Sequence, residues 1–199
     1  MSDGRAHVEP LFLSGDVLDT ARSDILSVLA PMGLAEEADE FQSIKTDLLD
    51  PAFRQSIPEP FPFSNLLGQI DELRVALAEC TGRTLCEGGG LHLMYYPVGS
   101  KFMRHVDEDP ALYEPQRNSV SFLIYLTPDD WSAEDGGTLL LYESGEDGEP
   151  RQVMPSGGTL VMYDSTLEHE VLQTRRERHL ISGRFRELDE DWQRGRTPA

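Results

Sequence analysis

Four side chains carry the chemistry that this sequence suggests. His105 and Asp107 are separated by one residue, His169 follows much later in the chain, and Arg178 comes soon after it. Two imidazoles and one carboxylate are the donor set with which proteins hold non-haem Fe(II) on one face and leave the other positions open. The arginine adds a cation that suits a carboxylate. The pattern therefore predicts a metal centre beside a site for an acid cosubstrate.

The His-x-Asp pair is weak evidence when it is taken alone. The sequence contains 5 histidines and 36 acidic residues, which is enough for about one such match by chance. The surrounding segments carry more weight. Residues two apart in an extended segment project from the same face, so His105 and Asp107 can reach one ion. The apolar, β-branched run at 158–163 predicts a strand just before His169. We expect the ligands to converge from separate strands.

The composition predicts one acidic domain. The chain has 199 residues, of which 39% are hydrophobic, and this is enough for a single sizeable core. Its formal net charge of −19 would repel a polyanion, so we expect no nucleic-acid partner. No apolar run approaches the roughly 18 residues of a membrane span, and no signal peptide is evident. With only Cys80 and Cys86 as thiols, we expect a cytoplasmic protein without membrane contact.

Two helices are predicted in a support region at about 1–88. Asp16 is the expected N-cap of the first helix, which should end near Pro31. The second should run from Ser64 to about Cys80. Their apolar positions at helical spacing are Val17, Leu18, Ala21, Ile25, Leu26 and Leu29 in the first helix, and Leu66, Ile70, Leu73 and Leu77 in the second. Four prolines at 50–63 exclude a regular element there, and a lid at 44–63 is the functional alternative to a plain connecting loop.

Short strands separated by turns follow, and they predict a mainly β core at about 89–186 with a tail at 187–199. The expected strands are 91–96, 101–106, 119–126, 138–142, 151–154, 159–163, 169–173 and 178–186. Eight strands at this spacing suggest a jelly roll, with the helices packed on the outside of its larger sheet. The residues at 143–150 should form a polar hairpin tip. The oligomeric state stays open.

Strand alternation assigns a pocket. If Arg178, Tyr125 and Tyr96 face inward, every second residue of their strands does so too. The pocket residues expected on this basis are His92, Met94, Leu123, Ser182 and Arg184. An inward Arg184 would favour a substrate with an acidic or carbonyl group.

Several sequence blocks together resemble a known family. They are YPVG at 96–99, MRHVD at 103–107, IYLT at 124–127, DGGTL at 135–139, and HEV at 169–171 followed by Arg178. In this order and spacing they resemble the prolyl hydroxylase branch of the Fe(II)/2-oxoglutarate dioxygenases, which includes the oxygen-sensing prolyl hydroxylases of animals and their bacterial relatives. The segment IKTD at 44–47 resembles the first core strand of that family.

The resemblance implies a double-stranded β-helix and an assignment for each candidate residue. Iron would be held by His105, Asp107 and His169, and 2-oxoglutarate would be anchored by Arg178. Tyr125 and Tyr96 would line the cosubstrate site. The implied activity is hydroxylation of a substrate C–H bond with O2, giving succinate and CO2, with ascorbate as the reductant. The implied substrate is a prolyl residue of a protein or peptide.

Other functions stay open on the sequence. Departures from the family at the pocket rim weaken the prolyl assignment, because the segment soon after Asp47 lacks the tryptophan that the animal oxygen sensors carry there, and the loop at 109–116 is short and acidic. A free amino acid or another small metabolite is therefore the rival substrate. A cupin-like sensor module would hold a metal without turnover. A zinc hydrolase can use the same ligands, but it would leave Arg178 without a role.

Overall fold

The computed structural model describes residues 5–29, 44–57, 61–86, 90–108, 116–143 and 148–188. Within these ranges the chain forms three α-helices and ten β-strands. The helices are α1 (Gly15–Leu29), α2 (Pro51–Ser56) and α3 (Ser64–Thr81). The strands are β1 (Ala6–Glu9), β2 (Ile44–Asp47), β3 (Leu91–Tyr96), β4 (Phe102–His105), β5 (Gln116–Tyr125), β6 (Leu139–Leu141), β7 (Arg151–Val153), β8 (Leu160–Asp164), β9 (His169–Val171) and β10 (Arg178–Leu188).

The strands form two antiparallel sheets in a jelly-roll arrangement. The larger sheet has the order β1-β8-β5-β10-β3-β2, and the smaller one has the order β4-β9-β6-β7. This confirms the predicted mainly β fold with a double-stranded β-helix core. All eight strands expected after residue 88 are present, and the segment at 44–47 is a strand as the resemblance implied. The four-residue β1 was not predicted, because so short a segment gives little periodic signal.

Helices α1 and α3 cover the outer face of the larger sheet, as predicted. The buried cluster between them combines residues of α1, α3 and the sheet, namely Leu18, Ala21, Ile25, Val28, Leu66, Ile70, Leu77, Phe122, Ile124, Ile181 and Phe185. Two predicted members of the α1 stripe are wrong, since Val17 and Leu26 are 38% and 64% exposed. The buried stripe is narrower than the apolar pattern, so these residues fall beyond its edges. Because α1 begins at Gly15, Asp16 lies in its first turn and is not the N-cap.

The segment after β2 corrects another prediction. The prolines at 50–63 were expected to exclude regular structure, but Pro51–Ser56 is helical. Proline suits the first helical position, where its missing N–H needs no partner. Asp50 caps this helix by accepting a hydrogen bond of 2.7 Å from the backbone N–H of Phe53. The lid at 44–63 stays a prediction, and residues 58–60 lie outside the described ranges.

Other predictions also lie wholly or partly outside the described residues. They concern the end of the first helix near Pro31, the loop at 109–116, the polar tip at 143–150 and the tail after residue 188. Cys80 and Cys86 are free thiols. Within the described ranges, none of the helices has the length and apolarity that crossing a membrane requires. The division of the chain near residue 88 stays a prediction, although β1 and β2 join the larger sheet.

Strand β10 shows why the two faces of the larger sheet differ. Leu180 packs in the inner cluster between the sheets, whereas Ile181 and Phe185 pack against the helices. This is the alternation expected from the sequence. The strand contains one irregularity, between Phe185 and Arg186. Because it comes after Arg184, the inward alternation is intact over the residues that the site uses.

Gly183 lies against the ring of Phe122, and this contact predicts the effect of a single methyl group. A Cβ at Gly183 would lie 2.2 Å from Cζ of that buried ring. We expect Gly183→Ala to lower the free energy of unfolding by about 1–3 kcal/mol, because the packed core must shift to accept it. Urea denaturation measures the change.

The matched control is Gly68→Ala in α3, where an added Cβ would meet nothing within 4 Å. Alanine is the better helix former there, so the free energy of unfolding should rise by about 0.5–1 kcal/mol. Equal effects of the two substitutions would contradict the packing described for Gly183.

Candidate metal centre

Two strands of the smaller sheet and one turn bring the predicted ligands together. His105 ends β4 and lies opposite His169, which begins the antiparallel neighbour β9. The two imidazole centroids are 4.2 Å apart. Asp107 lies in the turn after β4, where its backbone N–H donates to the carbonyl of Ser165 at 3.0 Å. Sheet pairing and turn geometry together therefore fix the positions of all three side chains.

The three side chains direct their ligand atoms towards one point. His105 Nε2 lies 3.9 Å from Asp107 Oδ1, and His169 Nε2 lies 3.8 Å from Asp107 Oδ2. Taken one per residue, the ligand atoms all lie within 4.8 Å of one another. Donors that share an ion at bond lengths of about 2.1 Å must approach each other this closely. Among the described residues, this is the group of histidine, cysteine and acidic side chains that fits a metal ion.

Both histidines are held in the tautomer that a metal needs. Nδ1 of His105 donates to the carbonyl of Met103 at 2.7 Å, and Nδ1 of His169 donates to the carbonyl of Leu167 at 2.9 Å. A carbonyl oxygen only accepts, so the proton of each neutral ring lies on Nδ1. The lone pair of each Nε2 is therefore free for a metal.

The protonation of two ligands also suits a cation. Burial opposes ionisation of Asp107, but the charges of Arg184 and His169 outweigh it and hold the pKa of this carboxyl below its ordinary value. Burial lowers the pKa of His169, although the charge of Asp107 opposes that shift. At neutral pH the centre therefore presents a carboxylate and a neutral imidazole, which are the forms that bind a metal.

Two further side chains contact Asp107. Nη2 of Arg184 donates to Oδ1 of this carboxylate. The buried hydroxyl of Tyr163 donates to its Oδ2 at 3.2 Å and lies 3.2 Å from Nε2 of His169. Burial raises the pKa of Tyr163 well above its usual value, so the phenol stays neutral. Sequence reasoning missed Tyr163, although its place opposite Ser121 in β8 puts it on the inward face.

Arg178 is a buried cation with unused hydrogen-bond donors. Its side chain is among the largest fully buried ones, with 1% exposure. Nη1 donates to the carbonyl of Gly137 at 3.1 Å. Nε and Nη2 are also buried, and neither has a hydrogen-bond partner in the described part of the chain. A buried guanidinium in this state lacks the anion that would satisfy it.

Two tyrosines complete this pocket. The guanidinium carbon of Arg178 lies 4.4 Å from the ring centroid of Tyr96 and 5.9 Å from that of Tyr125. Burial raises the pKa of Tyr125 to about 12, so its hydroxyl is a neutral donor. That hydroxyl is buried without a hydrogen-bond partner among the described residues. A cation and a phenol that both lack an acceptor fit a carboxylate, as the assignment of 2-oxoglutarate requires.

Gly137 explains part of the DGGTL block. It adopts φ +72°, and a Cβ there would lie 3.4 Å from Nε of Arg178. A side chain would therefore strain the backbone and press on the guanidinium. The DGGTL segment thus provides the Gly137 carbonyl as an acceptor for Nη1 of Arg178. It provides no acceptor for Nε or Nη2.

A cavity of about 210 Å³ opens beside the metal ligands. Five candidates from the sequence line it, namely Met94, Tyr96, Leu123, Ser182 and Arg184, together with the three ligands. His92 lies opposite Ser182 in the sheet, but it is not among the described lining residues. Leu180, which the strand alternation placed on the inward face, also lines the cavity, and Phe102, Leu139 and Val171 add apolar wall that the sequence reasoning did not assign. A metal bound here would face a partly apolar cavity. Tyr96 lines this cavity and also contacts the guanidinium of Arg178.

Comparison with known proteins agrees with this site. Residues 91–186 match the family model of the 2OG-Fe(II) oxygenase superfamily, and this range contains all three ligands and Arg178. No curated protein matches the sequence.

Solved structures share the fold over most of the chain. A prolyl-4-hydroxylase from Pseudomonas putida is 26% identical with a TM-score of 0.74, covering 94% of this chain and 95% of that one. A prolyl hydroxylase from Trichoplax adhaerens, in complex with a peptide fragment of the hypoxia inducible factor oxygen degradation domain, is 18% identical with a TM-score of 0.71, covering 99% and 89%. SnoK, a non-haem α-ketoglutarate-dependent carbocyclase from nogalamycin biosynthesis, is 15% identical with a TM-score of 0.65, covering 99% and 88%.

The jelly roll, the His-Asp-His cluster and the family segment matched at residues 91–186 agree with one another, and together they identify the proteins that this chain resembles as the 2OG-Fe(II) oxygenase superfamily and its prolyl hydroxylase branch.

Proposed function

We propose that this protein hydroxylates prolyl residues of a protein or peptide with Fe(II), 2-oxoglutarate and O2. The observation that carries the proposal is the proximity in the fold of two features. One is the cluster of His105, Asp107 and His169, and the other is the buried Arg178, which has two unpaired nitrogens. Fe(II) and 2-oxoglutarate would supply the oxidation, in which one oxygen atom of O2 enters the product and the other enters succinate as CO2 is released.

The chain's own residues hold and orient these groups. Nε2 of each histidine and one carboxylate oxygen of Asp107 would bind the iron on one face. Arg178 would pair with the far carboxylate of 2-oxoglutarate through its planar fork, and the hydroxyl of Tyr125 would donate to the same group. The buried apolar side chains of Leu139, Val171 and Leu180 in the cavity wall would limit the access of water to the reacting atoms.

The prolyl assignment rests on likeness to relatives and on access to the site. A prolyl-4-hydroxylase shares the fold along nearly the whole chain at 26% identity, and a relative of the same fold is known with a bound peptide. The cavity beside the ligands communicates with solvent, since His105 and Phe102 in its lining are partly exposed. We further propose ascorbate as the reductant and the cytoplasm as the location, where free thiols at Cys80 and Cys86 would persist.

Substrate incubations test the proposal. The enzyme is supplied with Fe(II), ascorbate and 2-oxoglutarate, together with either proline-containing peptides or free amino acids. Succinate release and a product that has gained one oxygen atom are measured by mass spectrometry. Oxygenation of peptides is the expected result. Turnover confined to free amino acids would replace the prolyl assignment, and no succinate at any iron level would favour a metal-holding sensor module.

The metal centre predicts a large effect of removing one imidazole. We expect His169→Ala to weaken Fe(II) binding by more than about a hundredfold, because even losses in the shell around metal ligands reduce affinity tenfold to a hundredfold. Anaerobic titration calorimetry measures this binding. The control is His179→Ala, because His179 stacks on Tyr95 at 5.2 Å and lies outside the ligand cluster. If both variants bound Fe(II) like the parent protein, the assignment of the metal centre would be wrong.

The pocket of Arg178 predicts a loss of cosubstrate affinity. We expect Arg178→Gln to raise the Kd for 2-oxoglutarate by at least about a hundredfold, since two charge-assisted hydrogen bonds of about 1.5–3 kcal/mol each are lost. The visible charge-transfer band of the chelated metal reports binding under anaerobic conditions. The control is Arg175→Gln, an exposed arginine that bonds the carbonyl of Glu134. Equal affinities in the two variants would remove Arg178 from the cosubstrate site.

The unpaired hydroxyl of Tyr125 predicts a smaller effect. We expect Tyr125→Phe to raise the Kd for 2-oxoglutarate about tenfold to a hundredfold, which is the range for one hydrogen bond to a charged group. The control is Tyr95→Phe, because the hydroxyl of Tyr95 bonds Glu177 away from the cavity. The same titration at saturating Fe(II) compares them, and a change in Tyr95→Phe as large as that in Tyr125→Phe would argue against a direct contact.

A further inference from the structure

We propose that Arg184 is a specificity residue, which binds a carboxylate of the substrate next to the carbon that is oxidised. This inference rests on the proposed function, because it names a chemical group of the substrate at the same site. It concerns the primary substrate and not the cosubstrate.

The geometry places Arg184 at the reacting end of the cavity. It lines the same cavity as His105 and His169, and one of its nitrogens bonds Asp107. Its side chain remains 27% exposed although Asp107 is nearly buried. The guanidinium is therefore anchored beside the metal ligands, while part of the side chain stays exposed in the cavity.

The contact with Asp107 leaves donors of Arg184 available. A guanidinium has five N–H groups in a planar fork. Arg184 uses Nη2 on the carboxylate, and its Nε is buried without a hydrogen-bond partner among the described residues. The ion pair is thus made through one nitrogen and is not a two-pronged pair. A second carboxylate can bind the remaining donors without displacing Asp107.

Arg184 is separate from the cosubstrate anchor. Arg178 and Arg184 share the inward face of β10, and at about 3.3 Å per residue their Cα atoms are about 20 Å apart. Arg178 is enclosed by Tyr96, Tyr125 and the carbonyl of Gly137. Arg184 instead contacts a metal ligand. Arg184 lines the cavity beside the metal ligands, whereas Arg178 is not among the described lining residues and lies behind Tyr96.

The charges of the loaded site as a whole leave room for one further anion. Among the described lining residues, the side chains that carry a full charge are Asp107 and Arg184, and these balance each other. The two positive charges of Fe(II) match the two carboxylates of 2-oxoglutarate. Arg178 then contributes one positive charge that nothing described at the site offsets. A substrate carboxylate would neutralise the loaded cavity, where a low dielectric makes such a charge costly.

The carboxylate can come from two sources. It is either the α-carboxylate of a free amino acid or the side chain of an acidic residue beside the target in a peptide. Both present the same planar anion to Arg184. A neutral amide of the same shape offers no charge, so it is the matched comparison for either source.

The experiment measures binding separately from turnover. Parent protein is loaded with Mn(II) and 2-oxoglutarate under anaerobic conditions and titrated by calorimetry with L-proline or L-prolinamide. A second series uses end-blocked peptides that carry glutamate or glutamine next to proline. We expect the acid to bind about tenfold more tightly than its amide in at least one series, as one charge-assisted contact implies. The series that shows the preference identifies the source.

Variants assign the preference to this arginine. Arg184→Gln should abolish the difference between acid and amide, whereas Arg184→Lys should keep part of it because the charge remains. The control is Arg186→Gln, an exposed arginine in the same strand. Because Arg184 contacts the metal ligand Asp107, its substitution could change metal affinity. Each variant is therefore titrated with Mn(II) separately, and substrate binding is measured at a saturating Mn(II) concentration.

The outcomes separate this inference from the proposed function. No preference for the acid in either series, including no binding of any acid, overturns the role of Arg184. A preference that survives in Arg184→Gln overturns it as well. Hydroxylation of neutral prolyl peptides with no acid preference would leave the proposed function standing while this inference fails. Absence of succinate with every substrate would instead remove the proposed function.

Discussion

The alternation of side chains along β10 is the constraint on which both core and site depend. This strand lies between β3 and β5 in the larger sheet. Its inward residues supply Arg178, the proposed cosubstrate anchor, and Arg184 beside the metal ligands, while Ile181 and Phe185 pack against the helices on the other face. A shift of one residue in register would exchange the two sets. The eleven-residue strand is hydrogen-bonded to a neighbour on both sides. Its one irregularity lies between Phe185 and Arg186, beyond the inward-facing Arg178 and Arg184.

Asp107 concentrates the electrostatics of the centre. Its two carboxylate oxygens accept hydrogen bonds from Arg184 and Tyr163. The imidazoles of His105 and His169 each lie within 4 Å of one of these oxygens. Burial alone would favour the protonated acid, and the neighbouring positive charge reverses that preference. The carboxylate is thus kept ionised before a metal arrives. The backbone carbonyls behind both imidazoles act in the same sense, since they leave Nε2 of each ring unprotonated.

Sequence patterns predicted most of the fold for a physical reason. Strands of the larger sheet alternate because one face packs between the sheets and the other packs against helices, so the bounds predicted for these strands were close to those observed. The failures lie where local chemistry overrides composition. Pro51 begins a helix because Asp50 caps it, and Leu26 is exposed because the α1 stripe is narrow. Tyr163 was missed because its strand was recognised by apolar content, which says nothing about where a hydroxyl points.

The cosubstrate site is easier to predict from a sequence than the substrate site. A metal and a diacid need donors at fixed positions, and the sequence encodes such donors as short motifs at set spacing. His105, Asp107, His169 and Arg178 could therefore be predicted from the sequence alone. A substrate is recognised by the remaining cavity wall, whose members come from several strands and share no spacing. Only placement on the inward face joins Arg184 to Asp107. The fold neighbours agree with this division, because prolyl hydroxylases and a carbocyclase occur on the same scaffold. Substrate choice therefore depends on individual inward side chains and not on the scaffold.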